Sequence, residues 1–180
     1  LNLANDGEYF STNIDVKYFD KNNNKHELKT RYYLVSTGDL TNIYASSKAE
    51  MYYANYQFQK QWKEGSTLSA GTTLNQNKIL SAAFGNHNTT NAALYGQFEW
   101  KKDKWDVTLG TRMEYFELDG KQGDSYFYLN KDSSAVLPIY PIFRSGIHYE
   151  LNKATHLRTS FGQGIRFPSV AERYAATSRF

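Results

Sequence analysis

The sequence predicts an all-β protein: one antiparallel sheet of about eight strands, of the kind that serves as a transmembrane barrel wall. Three observations point there. Apolar and polar residues alternate with a period of two through eight segments. Short polar turns alternate with long connections. Aromatic residues reach 16% in a chain whose mean hydropathy is -0.68.

The segments take the same form in order. "TNIDVKYFD" sets Ile14, Val16 and Tyr18 against Asn13, Asp15 and Lys17, and "KHELKTRYYLV" sets Leu28, Thr30, Tyr32 and Leu34 against Glu27, Lys29 and Arg31. "EMYYANYQFQKQW" opposes Tyr52, Tyr56 and Phe58 to Tyr53, Asn55 and Gln57, and "TLSAGTTLN" opposes Leu68 and Leu74 to Ser69 and Thr73. "AALYGQFEW" places Leu94, Phe98 and Trp100 opposite Tyr95, Gln97 and Glu99, and "WDVTLGTRMEYF" places Leu109, Met113 and Tyr115 opposite Arg112 and Glu114. "IFRSGIHYE" separates Phe143, Ile147 and Tyr149 from Arg144, His148 and Glu150, and "HLRTSF" separates Leu157 and Phe161 from His156 and Arg158. Successive side chains of a strand point to opposite faces, so this periodicity predicts strands of roughly ten residues. Pro138, Pro141 and Pro168 are expected in loops or at strand ends, because a proline inside a central strand removes a ladder bond.

The connections "DKNNNK", "KEGS", "KKDK" and "LNKA" are short, whereas "TGDLTNIYASSKA", "QNKILSAAFGNHNTTN" and "ELDGKQGDSYFYLNKDSSAVLPIYP" are long. Their strict alternation puts turns at one end of the sheet and loops at the other, the asymmetry of outer-membrane barrels. Trp62, Trp100 and Trp105 all stand beside short turns, as an interfacial aromatic belt requires. A soluble sandwich or lipocalin-like barrel gives the same alternation with the apolar face buried. The environment of Leu94, Phe98, Leu109 and Tyr115 separates the two.

Composition excludes other classes. Lys+Arg 21 against Asp+Glu 18 gives +3 with the charges scattered, so no basic stripe exists for nucleic acid. Cysteine is absent, which removes disulfides and thiolate chemistry. No apolar run approaches the ~20 residues of a membrane helix. "LNLANDGEYF" lacks a signal-peptide pattern. His26, His87, His148 and His156 have no metal-ligand spacing, and Gly162-Gln163-Gly164 lacks the rest of a dinucleotide motif. Catalytic residues, metal and cofactor are therefore all expected to be absent, and the chain is expected not to be an enzyme.

The segment "LRTSFGQGIRFPSVAERY" carries the most specific pattern. Gly162 and Gly164 permit a bulge or a close backbone approach, Arg166 can reach a carboxylate or loop carbonyls at a rim, and Pro168 ends strand pairing. The segment resembles the late-barrel motif of TonB-dependent outer-membrane receptors, a strand of the type "lrasyGqGfRaPs" followed by an acidic-aromatic stretch. Leu157, Arg158, Ser160, Phe161, Gly162, Gly164, Arg166, Pro168, Ser169, Glu172 and Tyr174 match it. The form "RFPSVAERY" is similar to receptors of Bacteroidetes-type bacteria. "VTLGTRMEYFEL" and "IFRSGIHYELNKAT" resemble a further strand and a hairpin of the family, so the likeness runs over residues 92 to 174.

The resemblance implies a bacterial outer-membrane location and uptake of a scarce nutrient of siderophore-iron, vitamin or oligosaccharide class. It implies a larger barrel of the ~22-stranded type with a plugged lumen. Residues 1–180 are then a partial barrel domain with no plug, no TonB box and no closing strand, whose plug and TonB system contacts come through parts absent from this chain. Outer-membrane lipid and a nutrient ligand at the extracellular loops are the other expected partners. Tyr126, Phe127, Tyr128 and Tyr140, in the longest connection, are the candidate ligand-stacking residues. Gly162, Gly164, Arg166, Pro168 and Glu172 of the motif are expected to shape the rim. A complete small eight-stranded outer-membrane barrel and a soluble β-sheet binding or adhesion module are the alternatives.

Overall fold

A strand in a bilayer must satisfy every backbone N–H and C=O within the protein, and a ladder of neighbouring strands does so. The computed structural model describes residues 5–39, 46–81, 85–119, 135–167 and 169, and it has this form. Its strands are β1 (Asn5–Phe19), β2 (Lys25–Asp39), β3 (Ser47–Gln61), β4 (Thr67–Ser81), β5 (Gly85–Lys102), β6 (Trp105–Leu118), β7 (Ala135–Asn152) and β8 (Thr155–Gly162). They make one antiparallel sheet in chain order, β1 to β8. Among the described residues no ladder joins β8 to β1, which a closed eight-stranded barrel would need.

All strands but β8, which has 8 residues, are longer than the predicted ten: β1 to β4 have 15 each, β6 has 14, and β5 and β7 have 18. The excess lies mainly at the loop end. "QNKILSAAFGNHNTTN", read as a long connection, is almost all strand, since Ser81 pairs with Gly85 and Gln76 with Thr90. Polar side chains do not stop a ladder outside the bilayer; the Asn77 side-chain amide donates to Thr89 Oγ1 across this hairpin at 2.8 Å. The loop-end connections therefore alternate less regularly in length than the sequence suggests.

The prolines also depart from expectation. Pro138 and Pro141 lie inside β7 rather than in a loop. Pro138 falls in an irregularity between Leu137, paired with Phe116, and Tyr140, paired with Glu114. Pro141 pairs with Met113. Its nitrogen points away from β6, because Phe143, two residues on, directs both its N–H and its C=O toward Gln163 on the β8 side. Since β8 pairs no further than Gly162 with Arg144, no ladder bond is lost.

The short turns have local causes. At residues 20–24 the Asp20 carboxylate accepts the backbone N–H of Asn22 and of Asn24, each at 2.8 Å, and the Asn24 side-chain amide at 2.8 Å. Asn23 takes a φ of 61°, and Gly65 holds the equivalent place at residues 62–66 with a φ of 86°. In both turns the third residue after the first donates its N–H back to the first residue's carbonyl, Asn23 to Asp20 and Gly65 to Trp62. This is a three-residue hairpin loop closed by a left-handed residue, which explains Asn or Gly at that place.

The registers give the sheet two unlike faces. One carries Ile14, Leu28, Tyr56, Leu74, Leu94, Leu109, Ile147 and Leu157; Leu94 is 63% exposed and Leu109 55%. The other carries Asp15, Lys29, Asn55, Thr73, Ala93 and Glu114. Among the described residues the buried hydrophobics are Ala93, Phe116 and Leu118, so the apolar face is not packed into a protein core. A water-soluble sheet would bury that face, and a lipid-facing one leaves it bare.

On β6 the bare face runs Trp105, Val107, Leu109, Thr111, Met113, Tyr115. Ten residues at ~3.3 Å cover ~33 Å, or ~25 Å at a tilt of ~40°, the height of an outer-membrane apolar band. Above it the same face turns polar. The Tyr115 hydroxyl donates to Glu117 at 2.7 Å and that of Tyr52 to Glu50 at 3.0 Å, while Lys48 pairs with Glu50 at 2.9 Å. Below it stand Trp62, Trp100 and Trp105, all exposed.

Candidate functional site

The polar face holds a groove of about 930 Å³ across β3 to β7, lined chiefly by amides, with Asn55, Gln57, Asn75, Asn91 and Gln97 beside Tyr53, Tyr95, Arg112, Glu114 and Arg144. Two glycines shape its floor. Gly71 faces Tyr95 in register, and a Cβ there would lie 2.5 Å from the Tyr95 hydroxyl and closer still to the Tyr56 carbonyl oxygen. The Tyr95 ring thus lies flat over a position that only glycine can fill. Its hydroxyl donates to Asn55 Oδ1 at 3.2 Å, an oxygen that also accepts Thr73 Oγ1 at 3.0 Å. Gly110 faces Arg144, whose Cγ would be 2.9 Å from an added Cβ. Arg144 crosses that gap to donate to Gln97 Oε1.

At the upper wall the Arg112 guanidinium stands 5.7 Å from the Tyr95 ring centre and donates to Glu114. Asn91 Nδ2 donates to the other Glu114 oxygen at 3.0 Å, so this buried carboxylate is held on both sides. Nearer the turns Glu27 is ringed by Lys25 at 2.7 Å, Lys29 at 2.9 Å and Lys17 at 3.8 Å, and Arg31 donates to Asn13 at 2.7 Å. The carboxylates are neutralised in place, an arrangement for holding polar surface rather than for proton transfer. Asn75 Oδ1 is buried without a hydrogen-bond partner among the described residues.

The Gly-x-Gly motif behaves differently from its sequence reading. A Cβ at Gly162 or Gly164 meets nothing within 4 Å, so the close approaches fall at Gly71 and Gly110 instead. Pairing ends at Gly162, before Pro168 is reached. The cause lies in the residue between the glycines: the Gln163 side chain accepts the Phe143 N–H at 3.0 Å and its backbone N–H donates to the Phe143 carbonyl at 3.0 Å, which caps the ladder. Gln163, Gly164 and Ile165 then line the groove, and Phe167 stacks on Phe116 at 4.5 Å. The chain thus leaves β8 across the polar face instead of continuing straight into a loop. Arg166 is exposed beside this crossing. Pro168 and Glu172 lie outside the described residues.

Of the candidate ligand-stacking residues, Tyr126, Phe127 and Tyr128 lie outside the described residues. Tyr140 is on a strand, not in a loop: within β7 it pairs with Glu114 of β6, and it is 53% exposed. His148 and His156 meet across β7 and β8 with nearly parallel rings 5.3 Å apart. Among the described residues no cluster of three or more metal-ligating side chains forms.

Sequence reasoning missed Gly71 with Tyr95, Gly110 with Arg144, and Gln163. Each is a cross-strand relation set by register, and a period of two says nothing about which residue faces which.

At the loop end His87 is buried, and its Nδ1 lies 3.0 Å from Asp119 Oδ1. Asp119 Oδ2 accepts the Asn88 N–H at 2.7 Å, and the Asp119 N–H donates to the Asn88 carbonyl at 3.0 Å. The β4–β5 hairpin thereby anchors the start of the longest connection beside buried Leu118.

No curated protein and no solved structure matches the chain significantly. A family profile does, described as TonB dependent receptor-like, beta-barrel, and it spans residues 1–179. That family consists of bacterial outer-membrane receptors that act in transport rather than as enzymes. With a single antiparallel sheet, a bare apolar face and a polar inner face, the chain belongs to the TonB-dependent receptor-like β-barrel family.

Proposed function

We propose that residues 1–180 form a stretch of barrel wall in an outer-membrane receptor that binds and imports a scarce nutrient of siderophore-iron, vitamin or oligosaccharide class. The plug and the TonB system are engaged through other parts of that receptor. The observation that supports this most is the amide-lined groove on the face opposite the bare apolar one. Amides offer both donors and acceptors, so such a wall can exchange hydrogen bonds with a moving polar partner without fixing a charge on it. Tyr126, Phe127 and Tyr128, with Tyr140 at the top of β7, supply aromatic surface for the ligand on the loop side. Gly162, Gly164, Arg166, Pro168 and Glu172 shape the chain where it leaves β8.

The test is uptake by cells whose growth depends on this receptor, offered ferric siderophores, cobalamin and oligosaccharides in turn. Accumulation of one of them that stops when TonB or the proton-motive force is removed is the expected result. The same accumulation without TonB would contradict the proposal.

A further inference from the structure

The outward face at the short-turn end separates its charges in a way that transport does not require. Trp62, Trp100 and Trp105 are exposed there, and Trp62 packs edge-on against Phe98 at 6.2 Å. The Lys60 ammonium stands 5.1 Å above the Trp62 ring. The turn at residues 62–66 abuts β5, since a Cβ on Gly65 would be 3.8 Å from that of Lys101. Exposed Lys102 follows Lys101 and shares the outward face with Trp100 and Trp105. The strand carboxylates of this end, Glu27, Glu99, Asp106 and Glu150, alternate to the inner face. Glu27 is held by lysines, and Asp106 pairs with Lys101 at 3.4 Å. Glu64 and Asp103 remain in the turns, beyond the tryptophan level. Among the described residues Lys60 and Lys102 have no salt bridge.

We propose that Lys60 and Lys102, beside Trp62 and Trp100, form a binding site for the phosphodiester headgroup of an anionic glycerophospholipid in the leaflet that meets the short turns. The ammonium groups meet the phosphate, the indole rings lie at the glycerol level, and Leu68 and Phe98 continue beneath as acyl-chain contacts. The inference rests on the lipid-facing reading of the apolar face and adds selectivity to it. Surface-potential arguments give roughly fivefold per lysine for an anionic over a neutral lipid.

The test is native mass spectrometry of the detergent-purified receptor titrated with phosphatidylglycerol and, separately, phosphatidylcholine. The expected result is preferential retention of phosphatidylglycerol, lowered about 25-fold by Lys60→Gln with Lys102→Gln. It should be kept by Lys60→Arg with Lys102→Arg, and by Lys48→Gln with Lys78→Gln at the opposite end. Heat-modifiable gel mobility confirms that each variant is folded. Equal retention of the two lipids, or an unchanged ratio in the Gln variant, overturns the proposal. So does displacement of phosphatidylglycerol by millimolar inorganic phosphate, which would make this a free-anion site. A receptor that stays monomeric in buffer without detergent would instead overturn the lipid-facing reading itself.

Discussion

Replacing Leu109 by arginine puts the two-faced sheet under direct load. Leu109 is 55% exposed on the apolar face of β6, four residues from Trp105 and six from Tyr115. At ~3.3 Å per residue and a tilt of ~40° it stands ~10 Å above the tryptophan level, close to the middle of a ~25 Å band. An arginine on the lipid face at that depth costs about 2–4 kcal/mol. The folding equilibrium should fall by ~30-fold to several hundred-fold. Its neighbour Thr108 points to the polar face, opposite Gly146 and Glu99, where an arginine meets carboxylates and water. Thr108→Arg should change stability by ~0.5 kcal/mol or less. The assay is urea unfolding in phosphatidylcholine vesicles, following the folded band by heat-modifiable mobility. A stable Leu109→Arg beside a collapsed Thr108→Arg would reverse the assignment of faces and refute the reasoning.

Further consequences follow from local geometry. Gly71→Ala forces the Tyr95 ring and the Tyr56 carbonyl apart and should cost about 1–3 kcal/mol, whereas Gly96→Ala, with nothing within 4 Å, should be close to neutral; urea midpoints compare them. The Asp20 carboxyl is held below its ordinary value of 3.8, first by the Asn24 side-chain amide and then by the Asn24 backbone N–H. A lowered folded value means that its contribution is whole above 3.8 and fades as the pH falls through the folded value. Asp20→Ala should therefore lower the unfolding midpoint at neutral pH and converge on the native protein below that range. His87→Ala removes the side chain that holds Asp119 and should raise hydrogen exchange at the Asp119 amide by roughly tenfold, with exchange in β6 below Glu114 unchanged. Equal acceleration throughout β6 would show that His87 supports the whole strand instead.

The alternation of Ile14, Val16 and Tyr18 with Asn13, Asp15 and Lys17 was enough to find β1, because one face meets an apolar medium and the other a polar one. The short turns were equally legible, since Asp20, Asn23 and Gly65 supply a side-chain acceptor and left-handed backbone at fixed places. The loop end was not. "NHNTTN" has the composition of a loop, yet it pairs because the ladder and Asn77 with Thr89 satisfy its polar groups outside the bilayer. Pro141 lay hidden in a strand because its nitrogen faces the side β8 does not reach, which depends on where a neighbour ends. The groove was half legible: Arg112, Glu114 and Arg144 could be assigned to the polar face, but the contact of Arg144 with Gln97 over Gly110 depends on the β5–β6–β7 register.

Residues 1–180 contain no cysteine, so a receptor freed of any other thiol allows one direct measurement. Single cysteines placed one at a time from Asp106 to Met113 along β6, in receptor reconstituted into vesicles, are exposed to a membrane-impermeant thiol reagent. The two-faced wall predicts labelling at residues 106, 108, 110 and 112 and protection at 107, 109, 111 and 113. Labelling of every position, or protection of the even positions with reaction at the odd ones, would contradict it.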